Sequence, residues 1–298
     1  MAAPASSAPT SRPTSALLDW YGPRRRAFPW RRTRDPYRIL VAEVMLQQTQ
    51  AARAARAYPA FLRRFPSIGA LARATRAEVV AAWDGLGYNR RALALAESAR
   101  AIVRDHGGRV PRDAATLRTL PGVGPYTAAA VASIAFGERR PALDVNVRRV
   151  VARWRLGADA HDVAPAAVAV AADDAIDRDD PGAWNQALMD VGREHCRPRP
   201  RCTGCPLARG CRFRRSGAVP SPAPRRASPF AGSTREARGA VVQALRGGPS
   251  TVARLGAATG MPAERIAAAL VGLVRDGLVD AGDAALSGSA RGRARLRA

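Results

Sequence analysis

The chain has 298 residues with 48 basic and 24 acidic side chains, a formal net charge of +24, and every basic residue is arginine. A hydrophobic content of 47% is enough for a core and excludes a disordered basic tail, while the missing lysine excludes any mechanism that uses a lysine amine as nucleophile or Schiff base. The charge suits a polyanion partner, or a soluble arginine-rich protein with a solvated basic surface.

Residues 1–14, rich in Ala, Ser, Pro and Thr, read as a disordered tail that lacks the apolar core of a secretory signal. No stretch approaches the roughly 18 apolar residues of a membrane span, so a cytoplasmic, nucleoid-associated bacterial protein is the expectation. From 15 to 215 the periodicity is helical, in runs such as 36–50, 77–84, 90–105, 125–136 and 146–154 bounded by Gly, Pro or Asp. Residues 216–233 read as a Pro/Ser/Ala linker, and 195–235 holds ten arginines and no acidic residue. Beyond it, 234–246 reads as a helix, Ser250 caps a second that ends near Gly260, and 262–276 forms a third. With a small β-wing through 277–279 and 285–286, residues 234–286 resemble a winged helix or form a plain helical cap, followed by a basic tail over 287–298.

Four features carry chemistry. Glu43 sits among Ile39, Leu40, Val41, Ala42, Val44, Met45 and Leu46. Desolvation there raises a carboxyl toward a value useful to a general acid, unless the group is a structural partner of an arginine. Gln47, Gln48, Thr49 and Gln50 follow as an amide-rich end, for base edges or for solvent. In Leu120-Pro-Gly-Val-Gly124-Pro-Tyr126, Pro121 interrupts a helical run, Gly122 and Gly124 permit positive φ, and Pro125 suits the first turn of a helix. This helix-hairpin-helix pattern lets a phosphate approach free backbone N–H groups.

Asp144, in Leu143-Asp-Val-Asn146-Val-Arg148, is placed to cap a helix, and backbone N–H donors there favour an anionic carboxylate. A carboxyl pair in such divergent environments suits a glycosidic bond that breaks through an oxocarbenium-like transition state, although an ordinary cap has the same sequence. All four cysteines, Cys196, Cys202, Cys205 and Cys211, lie in one window. With a single C-x-x-C they suit a 4Fe-4S cluster better than four-thiolate zinc, which remains the alternative.

Together these features resemble the helix-hairpin-helix DNA glycosylase superfamily, specifically the MutY-type adenine DNA glycosylases. The words that carry the likeness are Phe28-Pro-Trp30-Arg31, Ala42-Glu43-Val-Met-Leu46-Gln-Gln-Thr-Gln50, Trp83-Asp-Gly-Leu86-Gly-Tyr88, the hairpin, Leu143-Asp-Val-Asn146 and Trp184-Asn-Gln186-Ala-Leu188. The resemblance implies a mainly α, two-lobed fold with a DNA cleft between its lobes and a 4Fe-4S loop. It also implies that an adenine mispaired with 8-oxoguanine or guanine in double-stranded DNA is flipped out and excised. Glu43 then matches the general acid, Asp144 the group facing the sugar cation, and Tyr126 and Asn146 their supports. Arg26, Trp30, Arg31, Leu46 and Gln186 match the adenine pocket, while Gln48 and Tyr88 match residues that probe the stack. Thr49, Leu86, Gly122 and Gly124 are taken as further DNA contacts.

Relatives such as endonuclease III cut the backbone through a lysine where this chain has Tyr126, so a monofunctional hydrolytic enzyme, active as a monomer, is expected. Two departures stand out. Cys196 and Cys202 enclose five residues where the family usually has six, and the 81 residues after Gly217 are too few for the Nudix-like domain of longer relatives. The rival readings are a thymine/uracil mismatch glycosylase and a non-enzymatic iron–sulfur DNA-binding protein.

Overall fold

The computed structural model describes residues 13–221 and 230–297, so most of the expected N-terminal tail and the middle of the expected linker lie outside the described residues. Helices α1 (Pro13–Arg24), α2 (Pro36–Leu46), α3 (Ala51–Arg64), α4 (Ile68–Arg73), α5 (Arg76–Ala82) and α6 (Arg90–His106) come first. Then α7 (Ala114–Leu117) and α8 (Pro125–Phe136) flank the hairpin, and α9 (Val145–Val151) runs on as a π turn to Leu156. After α10 (Pro165–Ala175), α11 (Pro181–Glu194) and α12 (Arg212–Arg215) comes a C-terminal module of α13 (Thr234–Leu245), β1 (Ser250–Thr251), α14 (Val252–Thr259), α15 (Ala263–Arg275), β2 (Val279–Ala281), α16 (Asp283–Leu286) and β3 (Arg293–Leu296). No single helix is long and apolar enough to cross a membrane among the described residues.

The chain divides into two compact units: Met1–Glu43, Pro111–Thr119 and Val123–Pro224 in the first, Val44–Val110, Leu120–Gly122 and Arg225–Ala298 in the second. In the first, α1, α9, α10 and α11 share a core that includes Leu17, Val147, Val168, Trp184 and Leu188. The spacing of Trp184, Leu188 and Val191 puts them on one stripe of α11, as a core-facing helix requires. α8 is apolar all round and buried from Thr127 to Ile134, with Pro125 setting its first turn and Gly137 its end.

In the second unit α5 starts with a capping box between Thr75 and Glu78. Val80 and Leu93 belong to the same apolar cluster as Val241, Val242, Leu255, Ile266 and Leu270 of the C-terminal module. That module is therefore packed into the unit that holds α3–α6, where a linker-separated domain had been expected. Its wing also differs. Residues 283–286 form a helical turn, and the return strand is β3, inside the stretch read as a basic tail. The sheet order is β1-β3-β2, antiparallel, with Thr251 opposite Arg293 and Asp280 opposite Arg295. Ala294 turns inward while Arg295 and Arg297 pair with Asp280 at 3.6 and 3.0 Å. Four arginines in seven residues mask this alternation. Ser250 lies in β1, and the cap of α14 is Thr251, whose side chain accepts the Arg254 N–H at 3.3 Å.

Candidate active site

Glu43 is 5% exposed on α2, and its Oε2 has no hydrogen-bond partner among the described residues. Burial pushes the carboxyl up to about 7 and the Asp144 charge adds to this, while a hydrogen bond with the Tyr126 side chain and the Arg31 charge pull the other way. Close to neutral pH this group exchanges its proton readily. Tyr126, on the first turn of α8, has its hydroxyl 3.5 Å from the Met189 sulfur. Burial, with Glu43 and Asp144 nearby, holds its phenol well above the ordinary value, so it stays neutral.

Asp144 is the N-cap of α9. Its Oδ1 accepts the backbone N–H of Asn146 at 2.8 Å and of Val147 at 2.6 Å, and its Oδ2 accepts the Asn146 side-chain amide at 3.0 Å. Asn146 Oδ1 in turn accepts from Arg149, whose Nε donates to the Cys196 carbonyl at 2.6 Å and whose Nη2 reaches the Gly192 carbonyl at 2.9 Å. A Cβ on Gly192 would stand 2.7 Å from that of Asn146, so the bare glycine lets α11 approach the cap. The segment entering Asp144 is fixed by buried Asn185, which accepts the Ala142 N–H at 2.8 Å and donates to the Arg140 carbonyl at 3.0 Å.

Of the residues matched to an adenine pocket, Trp30, Arg31 and Gln186 are buried, whereas Arg26 and Leu46 are half-buried. Arg31 is 6% exposed and forks onto Asp190 at 2.6 and 3.0 Å. Gln186 accepts from the Tyr21 hydroxyl at 2.6 Å. Phe28 stacks on Trp30 with centroids 4.9 Å apart, and the Arg26 guanidinium lies 4.4 Å from the Phe28 ring. Asp190, Tyr21 and Arg149 are the partners that motif reading missed. For Asp190 the signal was present, a lone carboxylate in an apolar run, as at Glu43.

The four cysteines are free, half-buried and line one small cavity with Arg153. Burial pushes the Cys205 thiol up to about 11 and raises that of Cys196, so a metal centre must displace protons to bind. Arg153 lies over Cys196, Nη1 to Sγ 3.9 Å, and its carbonyl is 3.6 Å from the Cys211 sulfur. Arginines placed in this way compensate the negative charge of a four-thiolate centre. No group of three or more His, Cys, Asp or Glu side chains among the described residues is disposed to hold a metal ion.

The remaining candidates, Gly124 apart, fall in the second unit. Helix α2 stops at Leu46, short of the expected Gln50, because Gln48 turns to φ +53°. Arg91 fills the helix end, donating to the carbonyls of Val44 and Met45 at 3.0 Å, to that of Gln47, and to the Thr49 hydroxyl. It also holds the carbonyls of Leu86 and Gly87 at 3.2 and 3.0 Å, so one guanidinium clamps both loop tips. Leu86 is buried, 3% exposed, and contributes its carbonyl where a DNA contact had been expected. Gly122 takes φ +73°, and a Cβ there would come within 2.6 Å of Ala94, so close packing also demands glycine. Gly124 has φ −82°, not the positive φ expected, and caps α8 in extended conformation.

A family profile described as HhH-GPD superfamily base excision DNA repair protein matches residues 41–167. The chain is 45% identical over 245 residues to an adenine DNA glycosylase of Mycobacterium tuberculosis, with 80% of each chain covered. It is 43% identical over 216 residues to the adenine DNA glycosylase of Homo sapiens, covering 67% of this chain and 39% of that protein. A solved thermostable thymine-DNA glycosylase superposes with a TM-score of 0.63 at 33% identity, over 68% of this chain and 95% of the other.

Proposed function

The chain belongs to the adenine DNA glycosylases of the HhH-GPD superfamily, and from that premise we propose that it excises adenine from a mispair in duplex DNA by general-acid hydrolysis at Glu43 and Asp144. The observation that carries this reading is the buried Glu43 carboxyl, raised to about 7 with a free Oε2, in the field of Asp144.

A flipped-out adenine presents its ring nitrogens to Glu43, which donates its proton. The C1′–N9 electron pair then leaves with the base, and the sugar cation faces the Asp144 carboxylate, which Asn146 and the start of α9 hold in place. Glu43, now anionic, removes a proton from the water that adds to C1′. The products are free adenine and an abasic site, with Glu43 reprotonated. Neutral Tyr126 hydrogen-bonds to Glu43 and offers no amine for strand cleavage. The partner base is 8-oxoguanine or guanine.

Cys196, Cys202, Cys205 and Cys211 would hold a 4Fe-4S cluster beside Arg149 and Arg153, a structural centre that ties down the arginine-rich loop. The visible absorbance of purified protein and its iron and zinc content test this, and a zinc-bearing, colourless sample would overturn it. The activity itself is tested by base release from duplexes with adenine or thymine opposite 8-oxoguanine or guanine, with borohydride present in parallel. Adenine release without a trapped adduct supports the reading. Thymine release, or a covalent adduct, contradicts it.

A further inference from the structure

Helix α11 carries two stripes. Trp184, Leu188 and Val191 belong to the apolar core of the first unit, whereas Gly182, Asn185, Met189 and Gly192 recur at helical spacing on a second face. That face meets the elements that carry Tyr126 and Asp144. A Cβ on Gly182 would stand 2.9 Å from the Ile134 Cα of α8, and one on Gly192 would crowd Asn146 at the start of α9. The Met189 sulfur accepts from the Tyr126 hydroxyl. Asn185 is the one amide on this face and is fully buried, 0% exposed.

Asn185 stands in one of the words that carry the family likeness, yet no step of the excision uses it. Its side-chain amide donates to Ser133 Oγ of α8 at 2.9 Å and to the Arg140 carbonyl at 3.0 Å, and its Oδ1 accepts the Ala142 N–H at 2.8 Å. Both amide hydrogens are therefore satisfied, as burial demands. Residues 137–144, between α8 and α9, have no helix or strand to set their register. One side chain grips Arg140 and Ala142 instead, and the Ala142 carbonyl in turn accepts the Asp144 N–H at 3.2 Å. The chain thus enters the α9 cap along a path fixed from α11. An apolar residue of similar volume would fill the same space, so packing alone does not call for an amide.

We propose that Asn185 is a positioning residue for cleavage of the glycosidic bond: by tying residues 140–142 to α8 and α11, it fixes where the Asp144 carboxylate stands relative to Tyr126 and Glu43. The proposal rests on the roles given above to Asp144 and Glu43. Asn185 acts through the backbone of Arg140 and Ala142, and a displacement of about 1 Å in a reacting group can cost about 10²-fold in rate.

The test uses the full chain and compares Asn185→Leu and the smaller Asn185→Ala with Val168→Ala, which opens a cavity in the apolar core of the same unit and removes none of these bonds. All three should lower the melting temperature. Single-turnover adenine release then separates two effects: lost fold lowers the amplitude, whereas a misplaced Asp144 lowers the rate constant. The Asn185 variants should release adenine about 10–100-fold more slowly. They should still bind a duplex with 2′-fluoro-2′-deoxyadenosine, which resists cleavage, within about twofold of the wild type. Val168→Ala should keep the wild-type rate constant within about twofold. A wild-type rate constant in a folded Asn185 variant overturns the proposal, as does an equal fall in Val168→Ala or a loss of binding that accounts for the whole effect. If the wild type releases no adenine, or Asp144→Asn releases it as fast as the wild type, the reading of the reaction fails. If Asp144→Asn slows release and the Asn185 variants do not, only the positioning role fails.

Discussion

The carboxyl pair of the first unit and the arginine-lined cleft of the second, walled by residues 47–50, residues 85–91 and α13, place opposite demands on charge. Glu43 is 5% exposed with an unpartnered oxygen, whereas Tyr88, at the rim of the cleft, is 45% exposed. A proton donor gains from being dry, because desolvation brings its pKa to the working range. A phosphate-binding surface gains from charge that stays solvated until DNA displaces its counterions. Arginine serves both regions differently. Arg31 is locked on Asp190 in the interior, Arg91 is pushed down to about 10 by burial yet remains cationic at neutral pH, and Arg235 is exposed. The contrast teaches that the +24 charge is not one feature. Part of it is framework, and only the exposed part is available to a polyanion.

Substitutions can break this division. The largest effect falls on the carboxyl pair: Asp144→Asn should slow adenine release by about 10³-fold or more in single-turnover assays while DNA binding is kept. Binding lost in proportion would merge the two regions. Next in size, Arg31→Met leaves buried Asp190 with only the longer contact to Arg193 at 3.9 Å and should cost about 3–5 kcal/mol in denaturant unfolding. A cost below 1 kcal/mol would move Arg31 from framework to ligand contact.

A third effect depends on pH. The folded-state value of Glu43 lies above its ordinary one, so its ionisation opposes folding. The penalty is absent below about pH 4.5, grows as pH rises toward 7 and is complete above it. Glu43→Gln should therefore stabilise the protein by up to about 3 kcal/mol at pH 8 and by almost nothing at pH 4.5. A pH-independent difference would show that the carboxyl is not desolvated. Smallest is Arg91→Ala, which uncaps carbonyls at both loop tips and should cost about 1–3 kcal/mol, with mispair affinity falling alongside.

The buried region was the more legible of the two in the sequence. A carboxylate among Ile39, Leu40 and Met45 is a local anomaly, and the bounds of α8 follow from Pro125 and Gly137. Asp190 shows the same anomaly and was passed over, because its partner Arg31 lies 159 positions away and no local pattern joins them. The cleft was legible only on its loop side, where Gln48, Thr49, Leu86 and Tyr88 were matched to DNA contacts, and nothing in the sequence joined them to α13. Tyr88 and Arg235 are 147 positions apart, and exposed arginines, glutamines and a ring look like any solvated surface until the fold brings them together. The expected end of α2 failed because its periodicity continues past Leu46, while tertiary capping by Arg91 and the left-handed Gln48 stop the helix. β3 failed because arginine density outweighed a strand only four residues long.

The central claim, that a desolvated Glu43 protonates the departing adenine, is tested most directly by the pH dependence of adenine release under single turnover. The wild-type rate should fall on the alkaline side with a midpoint near 7, and a Glu43→Gln protein should bind the mispaired duplex but release no adenine. A rate that stays level through pH 9, or a Glu43→Gln protein that retains wild-type release, would contradict it.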